Sequence, residues 1–378
     1  MTIKVLVVDD SALMRKKISE LLESTGGITV KTAKNGREAI SQNLEFQPDV
    51  MTLDINMPEL DGLTALAEIM LQRPVPVVML SSLTAKGALA TLEAMALGAV
   101  DYIPKPDGTI SLAIEDIEKE LLTKIRNAAK ARPKTFRSTE QVRTVSPGLD
   151  RTKELPSARK SSPDWSRTEP GFKVKKAVSA NSDELTGLVL IGVSTGGPGT
   201  LEMMLASIPA YFPYPIVIAQ HMPAAFTGPF ASRLNNVCSL EVTEVSHLQK
   251  VEAGKVYIAR GDADLVFTNR AGVLHLQPKP ADPQFRWHPS VELLGRSALE
   301  CCHADGLIAI LLTGMGDDGA EAFSHIHVNG GRTIAESEDS AVVFGMPKEL
   351  IERGGASLVL PANKIVPQLL RWANAILS

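Results

Sequence analysis

No run of eighteen apolar residues occurs in the chain, so none of its segments suits a membrane-crossing helix. The opening residues, Met1-Thr-Ile-Lys-Val-Leu-Val-Val-Asp-Asp10, lack a basic stretch, a separate apolar core and a small-residue cleavage site. They are therefore expected to form the first strand of a folded domain rather than a leader. Cysteine is scarce: Cys238, Cys301 and Cys302 stand alone in 378 residues, with no C-x-x-C pair. That spacing excludes a disulfide framework and a thiolate zinc cluster. With no leader in view it points to the cytoplasm. No self-similarity at solenoid spacing is present either.

Charge is unevenly spread. Residues 131–180 carry 12 Lys and Arg against 5 Asp and Glu, whereas residues 1–130 carry 14 against 18 and residues 181–378 carry 13 against 20. The basic middle contains Pro133, Pro147, Pro156, Pro163 and Pro170 among many Ser and Thr, and has no hydrophobic periodicity. Such a segment buries too little apolar surface to offset chain entropy, and it is expected to be a flexible linker. Acids interrupt its basic residues, so a nucleic-acid tail is not expected. The organisation read from this is a first domain over 1–125, a linker over 126–184 and a second domain over 185–378.

Before the linker, short apolar runs at Val5–Val8, Ile28–Ala33, Val50–Leu53, Val75–Leu80 and Val100–Ile103 read as strands. Helical spacing covers Ala12–Glu23, and a further helix over Ala88–Leu97 stops at Gly98. The same alternation returns after the linker. Strands are expected at Leu188–Val193, Ile216–Ala219, Val256–Ile258 and Leu307–Leu312, and a strand-and-hairpin stretch over Lys255–Gln277. Helices are expected near Thr200–Ser207, Phe226–Asn235, Pro289–Cys301, Gly319–Ile326 and Ala362–Leu377. The fold class is α/β: a flavodoxin-like doubly wound first domain, then a Rossmann-like parallel α/β domain with antiparallel additions.

Chemistry collects at strand ends. Asp9 and Asp10 close the first predicted strand and Asp54 the third, where doubly wound sheets place ligands. Three converging carboxylates are costly unless a cation joins them, and a small cluster of hard oxygens suits Mg²⁺. Ser81 follows the fourth strand and Lys105 the fifth, positioned to donate a hydrogen bond to, and to pair with, an added phosphoryl group. These residues, within Val7-Val-Asp-Asp-Ser11, Leu53-Asp-Ile-Asn-Met-Pro58, Asp61-Gly62, Val77-Val-Met-Leu-Ser81 and Lys105-Pro106, resemble the receiver domain of two-component response regulators over residues 1 to about 125. The resemblance implies Asp54 as phosphoacceptor, with Mg²⁺ held by Asp10, Asp54 and the carbonyl of Asn56, and Asp9 assisting. It further implies Ser81 and Lys105 as phosphoryl sensors, Tyr102 as the switch aromatic, and a Lys105–Pro106 bond of the cis form.

In the second domain Gly192-Val-Ser-Thr-Gly196 lies between a predicted strand and helix, fitting the G-x-S-x-G turn that exposes a nucleophilic serine. By itself the pattern also suits an ordinary capped turn or a phosphate loop, although G-x-G-x-x-G cannot be laid on it. His221 ends the next strand, placed to accept a serine proton. Leu307–Leu312 then runs into Thr313-Gly-Met-Gly-Asp-Asp-Gly319, where Asp317 or Asp318 is available to orient the histidine. Three such groups at three strand ends point to acyl transfer, with backbone N–H groups of the turns near Thr195, Gly196 and Met315 for the oxyanion. The order Ser, His, Asp differs from the α/β-hydrolase order, so the arrangement is a separate one.

Residues 185–378 resemble the catalytic domain of chemotaxis protein-glutamate methylesterases, the CheB type. The likeness rests on Ile191-Gly-Val-Ser-Thr-Gly-Gly197, Gln220-His-Met-Pro223, Pro289-Ser-Val291, Leu312-Thr-Gly-Met-Gly-Asp-Asp-Gly-Ala320 and Gly345-Met-Pro347. It implies Ser194 as nucleophile, His221 as base and acid, and Asp318 as the orienting acid, with no cofactor for the esterase. It also implies phosphorylation-activated hydrolysis of glutamate γ-methyl esters on methyl-accepting chemotaxis receptors, with deamidation of selected glutamines. A chemotaxis histidine kinase would supply the phosphoryl group; neither nucleic acid nor direct membrane insertion is implied. Two positions depart from the usual pattern: Asn56, where many of the type carry Glu, and His288, where Arg is usual. A non-catalytic adaptor would show a broken triad, and here every member is present. A DNA-binding regulator would need a basic reading face, which the acidic second domain lacks.

Overall fold

The computed structural model describes residues 2–82, 84–105, 114–131 and 186–377. The first sheet is built from β1 (Ile3–Val8), β2 (Ile28–Ala33), β3 (Val50–Asp54), β4 (Val77–Ser82) and β5 (Asp101–Lys105). Its order is β2-β1-β3-β4-β5 and every pairing is parallel. The connecting helices are α1 (Ala12–Ser24), α2 (Gly36–Phe46), α3 (Gly62–Gln72) and α4 (Ala85–Ala96), with α5 (Ile114–Ala128) after β5. Local chemistry sets their starts: Ser11, Asn35, Asp61 and Thr84 each accept from a backbone N–H in the first turn of the helix that follows. Side chains of Val5 to Val8 and of Val50 to Asp54 are all buried, as expected for strands covered on both faces. Because β1 lies between β2 and β3, the chain reverses direction across the sheet there. That crevice receives Asp9, Asp10 and Asp54.

The second sheet is larger. Its strands are β6 (Leu188–Val193), β7 (Ile216–Gln220), β8 (Glu241–Val245), β10 (Lys255–Ala259), β13 (Leu307–Leu311), β14 (Arg332–Glu336) and β15 (Leu358–Leu360), all parallel in the order β15-β14-β13-β6-β7-β10-β8. Helices α6 (Gly197–Ala206), α7 (Ala224–Val237), α8 (Val291–Cys301), α9 (Ala320–Val328), α10 (Met346–Glu352) and α11 (Ala362–Leu377) accompany it. The Lys255–Gln277 stretch supplies β10 and then a hairpin of β11 (Ala263–Arg270) and β12 (Val273–Pro280), which with β9 (Gln249–Lys250) forms a small antiparallel sheet. The switch point of this sheet lies between β6 and β13, and Ser194 and the Thr313–Gly319 turn leave it side by side.

The expected α/β class and its two parallel sheets are what the chain forms. Boundaries move by a few residues. Helix α5 reaches Ala128, past the expected domain end at 125, and α8 starts at Val291 because Ser290 serves as its N-cap. The expected cis Lys105–Pro106 bond lies outside the described residues; among those described, the cis bond is His288–Pro289. No helix among the described residues is long and apolar enough to cross a membrane.

Candidate active site

Strand β6 carries the chain, fully buried, to Val193, and Ser194 follows at the edge of the sheet. Its amide donates to Thr313 O at 2.9 Å, tying the serine turn to the turn after β13. Gly196 takes φ 78°, and a Cβ there would meet Val342 at 2.6 Å, so glycine is required on two counts. Strand β7 delivers His221 beside it: His221 N donates to Val193 O at 3.1 Å, and Gln220 Nε2 donates to Ser194 O at 3.0 Å. Thr313, itself buried, donates its hydroxyl to Thr195 O at 2.8 Å, and its amide donates to the buried Glu336 at 2.8 Å.

Asp318 is the acid that meets His221, with Oδ2 2.8 Å from Nε2. Asp317 is instead 3.7 Å from Arg353 near the surface. The Asp318 carboxylate also accepts from Ser290 Oγ at 3.1 Å, Val291 N at 2.8 Å and Glu292 N at 2.9 Å. It thus sits on the amino end of α8, where N–H groups are free and the helix dipole favours an anion. Burial works to raise its pKa, but the His221 hydrogen bond and charge and the Val291 and Glu292 amides prevail, and it is held below the usual carboxylate range. With Nε2 committed to Asp318, the remaining lone pair of a neutral His221 is on Nδ1, which is buried and free of hydrogen bonds. Among the described residues no hydrogen bond joins Ser194 Oγ to His221; both line one cavity of about 560 Å³.

Side chains of the first sheet's domain close the other side of that cavity. Thr195 Oγ1 donates to Asp101 Oδ2 at 2.7 Å. Asp101 also pairs with Lys124 at 3.2 Å and accepts from Tyr102 N at 2.8 Å. The Tyr102 ring stacks on Phe226 with centres 4.7 Å apart, and Asn127 lies against the Met315 sulfur. Desolvation raises the Tyr102 hydroxyl well above its ordinary range. Of the candidate oxyanion residues, Thr195 and Met315 are thereby engaged across this contact, while Gly196 caps α6.

The acidic crevice assembles as the strand ends predict. One oxygen each from Asp9, Asp10 and Asp54 lie within 4.8 Å of one another. Lys105 Nζ stands 2.9 Å from Asp9 and 2.8 Å from Asp54. Burial outweighs that lysine at Asp54, whose carboxyl is shifted upward, and both carboxylates raise Lys105 against its own desolvation. Asn56 donates its amide to Asp54 at 3.3 Å. Ser81 is not brought to this cluster: buried, it donates toward Gly87 O at 3.2 Å and accepts from Thr91 Oγ1 at 2.6 Å. A hydroxyl so close to the start of α4 is drawn into the helix's own hydrogen bonding, which the strand-end position alone does not reveal.

Two family patterns match the chain: the response regulator receiver domain over residues 5–114 and the CheB methylesterase over residues 189–369. A protein-glutamate methylesterase/protein-glutamine glutaminase of Rhodospirillum rubrum is 52% identical over 98% of this chain and 96% of its own. The chain belongs to the CheB methylesterase family. A second relative of the same description, from Rhodopseudomonas palustris, is 47% identical over 99% of both chains. The crystal structure of the Thermotoga maritima CheB methylesterase catalytic domain, 40% identical, aligns over 49% of this chain and 98% of its own with a TM-score of 0.48. Within this CheB-family chain the sequence reading missed Ser290, Thr313, Glu336 and Trp287. Ser290 and Thr313 lie inside motifs already noticed, so adjacency to Asp318 and Ser194 was the available signal. Glu336 comes from a strand that carries no motif, and Trp287 stands just before His288 and the Pro289-Ser-Val291 motif, outside the residues quoted for it.

Proposed function

We propose that the chain hydrolyses glutamate γ-methyl esters on methyl-accepting chemotaxis receptors, and deamidates selected receptor glutamines, under control of its own phosphorylation. The observation that carries the catalytic half is the His221–Asp318 pair at 2.8 Å, with His221 lining one cavity with Ser194 at the switch point of the second sheet. In the first step Ser194 Oγ attacks the γ-carbonyl carbon while its proton passes to His221 Nδ1. The carbonyl pair moves onto oxygen, where on this reading backbone N–H groups of the turns holding Thr195, Gly196 and Met315 receive it. On collapse the methoxide takes the proton and leaves as methanol; ammonia leaves in the amide case. Water, deprotonated by His221, then releases the glutamate. Asp318, already anionic on the α8 terminus, stabilises the imidazolium.

For the regulatory half, Asp54 is the phosphoacceptor. Asp9, Asp10 and Asp54 fit a divalent cation: three carboxylates converge on one point with the Lys105 ammonium between Asp9 and Asp54, leaving excess negative charge. Mg²⁺ there, with the Asn56 carbonyl as a further ligand, would supply charge neutralisation for phosphoryl transfer from a chemotaxis histidine kinase. Strand β5 links the two halves, because Lys105 at one end faces Asp54 and Asp101 at the other holds Thr195. The receiver covering the cavity is the restrained state, and phosphorylation shifts Lys105 and Tyr102 so that it withdraws. Such a scheme needs only about 1.4 kcal/mol for a tenfold change in the open fraction. The absence of a membrane-crossing helix among the described residues suits a cytoplasmic enzyme acting on receptor tails.

The deciding experiment measures methanol released from methylated receptor by wild type and Ser194→Ala, with and without a small phosphodonor plus Mg²⁺. Serine-dependent release that rises with phosphodonor is the expected result. No release from wild type in either condition refutes the esterase reading, and release indifferent to phosphodonor refutes the control scheme.

A further inference from the structure

The indole of Trp287 lies against His221. The two rings are parallel to within 6°, with centres 5.8 Å apart. The seat is tailored on its other side. Gly316, at φ 87° in the turn after β13, leaves a notch that the indole fills: a Cβ there would come within 2.5 Å of Trp287 Cη2. The same indole already faces a cation, with the Arg286 guanidinium 5.1 Å from its centre. One half-buried ring therefore touches the general base, the glycine turn beside Ser194 and a positive charge at the cavity mouth.

We infer that Trp287 is a positioning residue for the hydrolysis, holding the His221 ring in plane and stabilising the imidazolium that forms as Ser194 gives up its proton. The face of an indole is the negative pole of its quadrupole, and cations within about 6 Å of the ring centre are attracted to it. Neutral imidazole gains little from such a neighbour. The charged ring gains more, and it exists only after proton transfer. An interaction stronger in the transition state than in the ground state raises kcat rather than lowering KM. Asp318 supplies the anionic partner in the ring plane and Trp287 a partner on the ring face, so the two act on different aspects of the same cation. The inference rests on the proposed role of His221 as base.

The test compares full-length wild type, Trp287→Phe, Trp287→Leu and Ser194→Ala for methanol release from methylated receptor, with saturating phosphodonor. It adds a series carrying mono-, di- and trifluorotryptophan placed at position 287 alone. Ser194-dependent release by wild type establishes the underlying reading independently of Trp287. Given that, Trp287→Phe is expected within about threefold of wild type. Trp287→Leu should lose about tenfold in kcat with KM little changed, equivalent to about 1.4 kcal/mol. Fluorination, which drains the ring face while keeping its shape, should lower log kcat in even steps. A flat fluorine series, or a Leu variant as active as the Phe variant, would show that the ring only fills space and would overturn the inference. Because the fluorinated proteins are nearly isosteric with wild type, misfolding of the Leu variant would not remove the test. Absence of Ser194-dependent release would remove the reading and the inference together.

Discussion

Replacing Asp101 with asparagine keeps the shape of the contact to Thr195 and takes away its charge. Asp101 Oδ2 accepts the Thr195 hydroxyl at 2.7 Å across the contact between the receiver and the catalytic half. A hydrogen bond to a charged group contributes about 1.5–3 kcal/mol net, and a neutral one about 0.5–1.5 kcal/mol. The substitution should therefore weaken closure by about 1–1.5 kcal/mol, and raise the open fraction by about five- to twelvefold while the closed state dominates. Lys124 is not stranded, because it remains 2.9 Å from Glu120 and donates to Tyr102 O at 2.6 Å. The assay is methanol release from methylated receptor without phosphodonor, where the basal rate should rise by that factor. With saturating phosphodonor the two proteins should converge, since both are then open and Asp101 takes no part in the chemistry. An unchanged basal rate in Asp101→Asn, with a normal phosphodonor response, would refute the claim that this bond holds the receiver down.

Four further outcomes follow from the structure. Asp318→Asn should lower kcat by about 10³–10⁴ with little change in KM, because the amide holds His221 in the wrong tautomer; steady-state kinetics on methylated receptor check it. The same carboxyl, held below its ordinary value of 3.8 when folded, contributes stability that is present above that value and lost as pH falls through the folded value. The deficit of Asp318→Asn in urea melts should thus be largest near pH 7 and shrink below about pH 4. Gly316→Ala should be poorly tolerated, since φ 87° strains alanine and its methyl would strike Trp287; a lowered Tm together with reduced kcat is expected. Burial pushes Cys238 and Cys302 up to about 11, so in the native protein both should react with a thiol reagent at pH 8 far more slowly than after denaturation.

Much of this was legible because the chemistry of parallel α/β folds is written at strand ends. Asp9, Asp54 and Lys105 in the first sheet, and Ser194 and His221 in the second, lie at or just past the end of an apolar run, so the two sheets that those runs imply bring each set together with no further information. Asp318 over Asp317 needed the turn's geometry, or a resemblance in its place. Strands β14 and β15 escaped because Arg332–Glu336 and Leu358–Leu360 are too short to announce a period, and pairing of β14 to β13 and of β15 to β14 stabilises them from outside. Ser81 was legible as a strand-end hydroxyl, but its position suits two hydrogen-bonding schemes, and the structure shows the local one with Thr91. Trp287 and Glu336 act through partners distant in sequence, His221 and Thr313, and no spacing rule encodes such a meeting.

Strand β5 has a consequence of its own. Five residues, Asp101–Lys105, reach from the catalytic half to the carboxylates of the acidic crevice, a span of about 13 Å for four steps at about 3.3 Å each. Thermodynamic coupling between binding events runs equally in both directions. On the proposed scheme, a receptor tail that enters the cavity and lifts Asp101 from Thr195 also frees the strand for the form that welcomes a phosphoryl group at Asp54. Substrate and phosphoryl group would then recruit one another, and enzyme already resting on methylated receptors would be the first to be switched on.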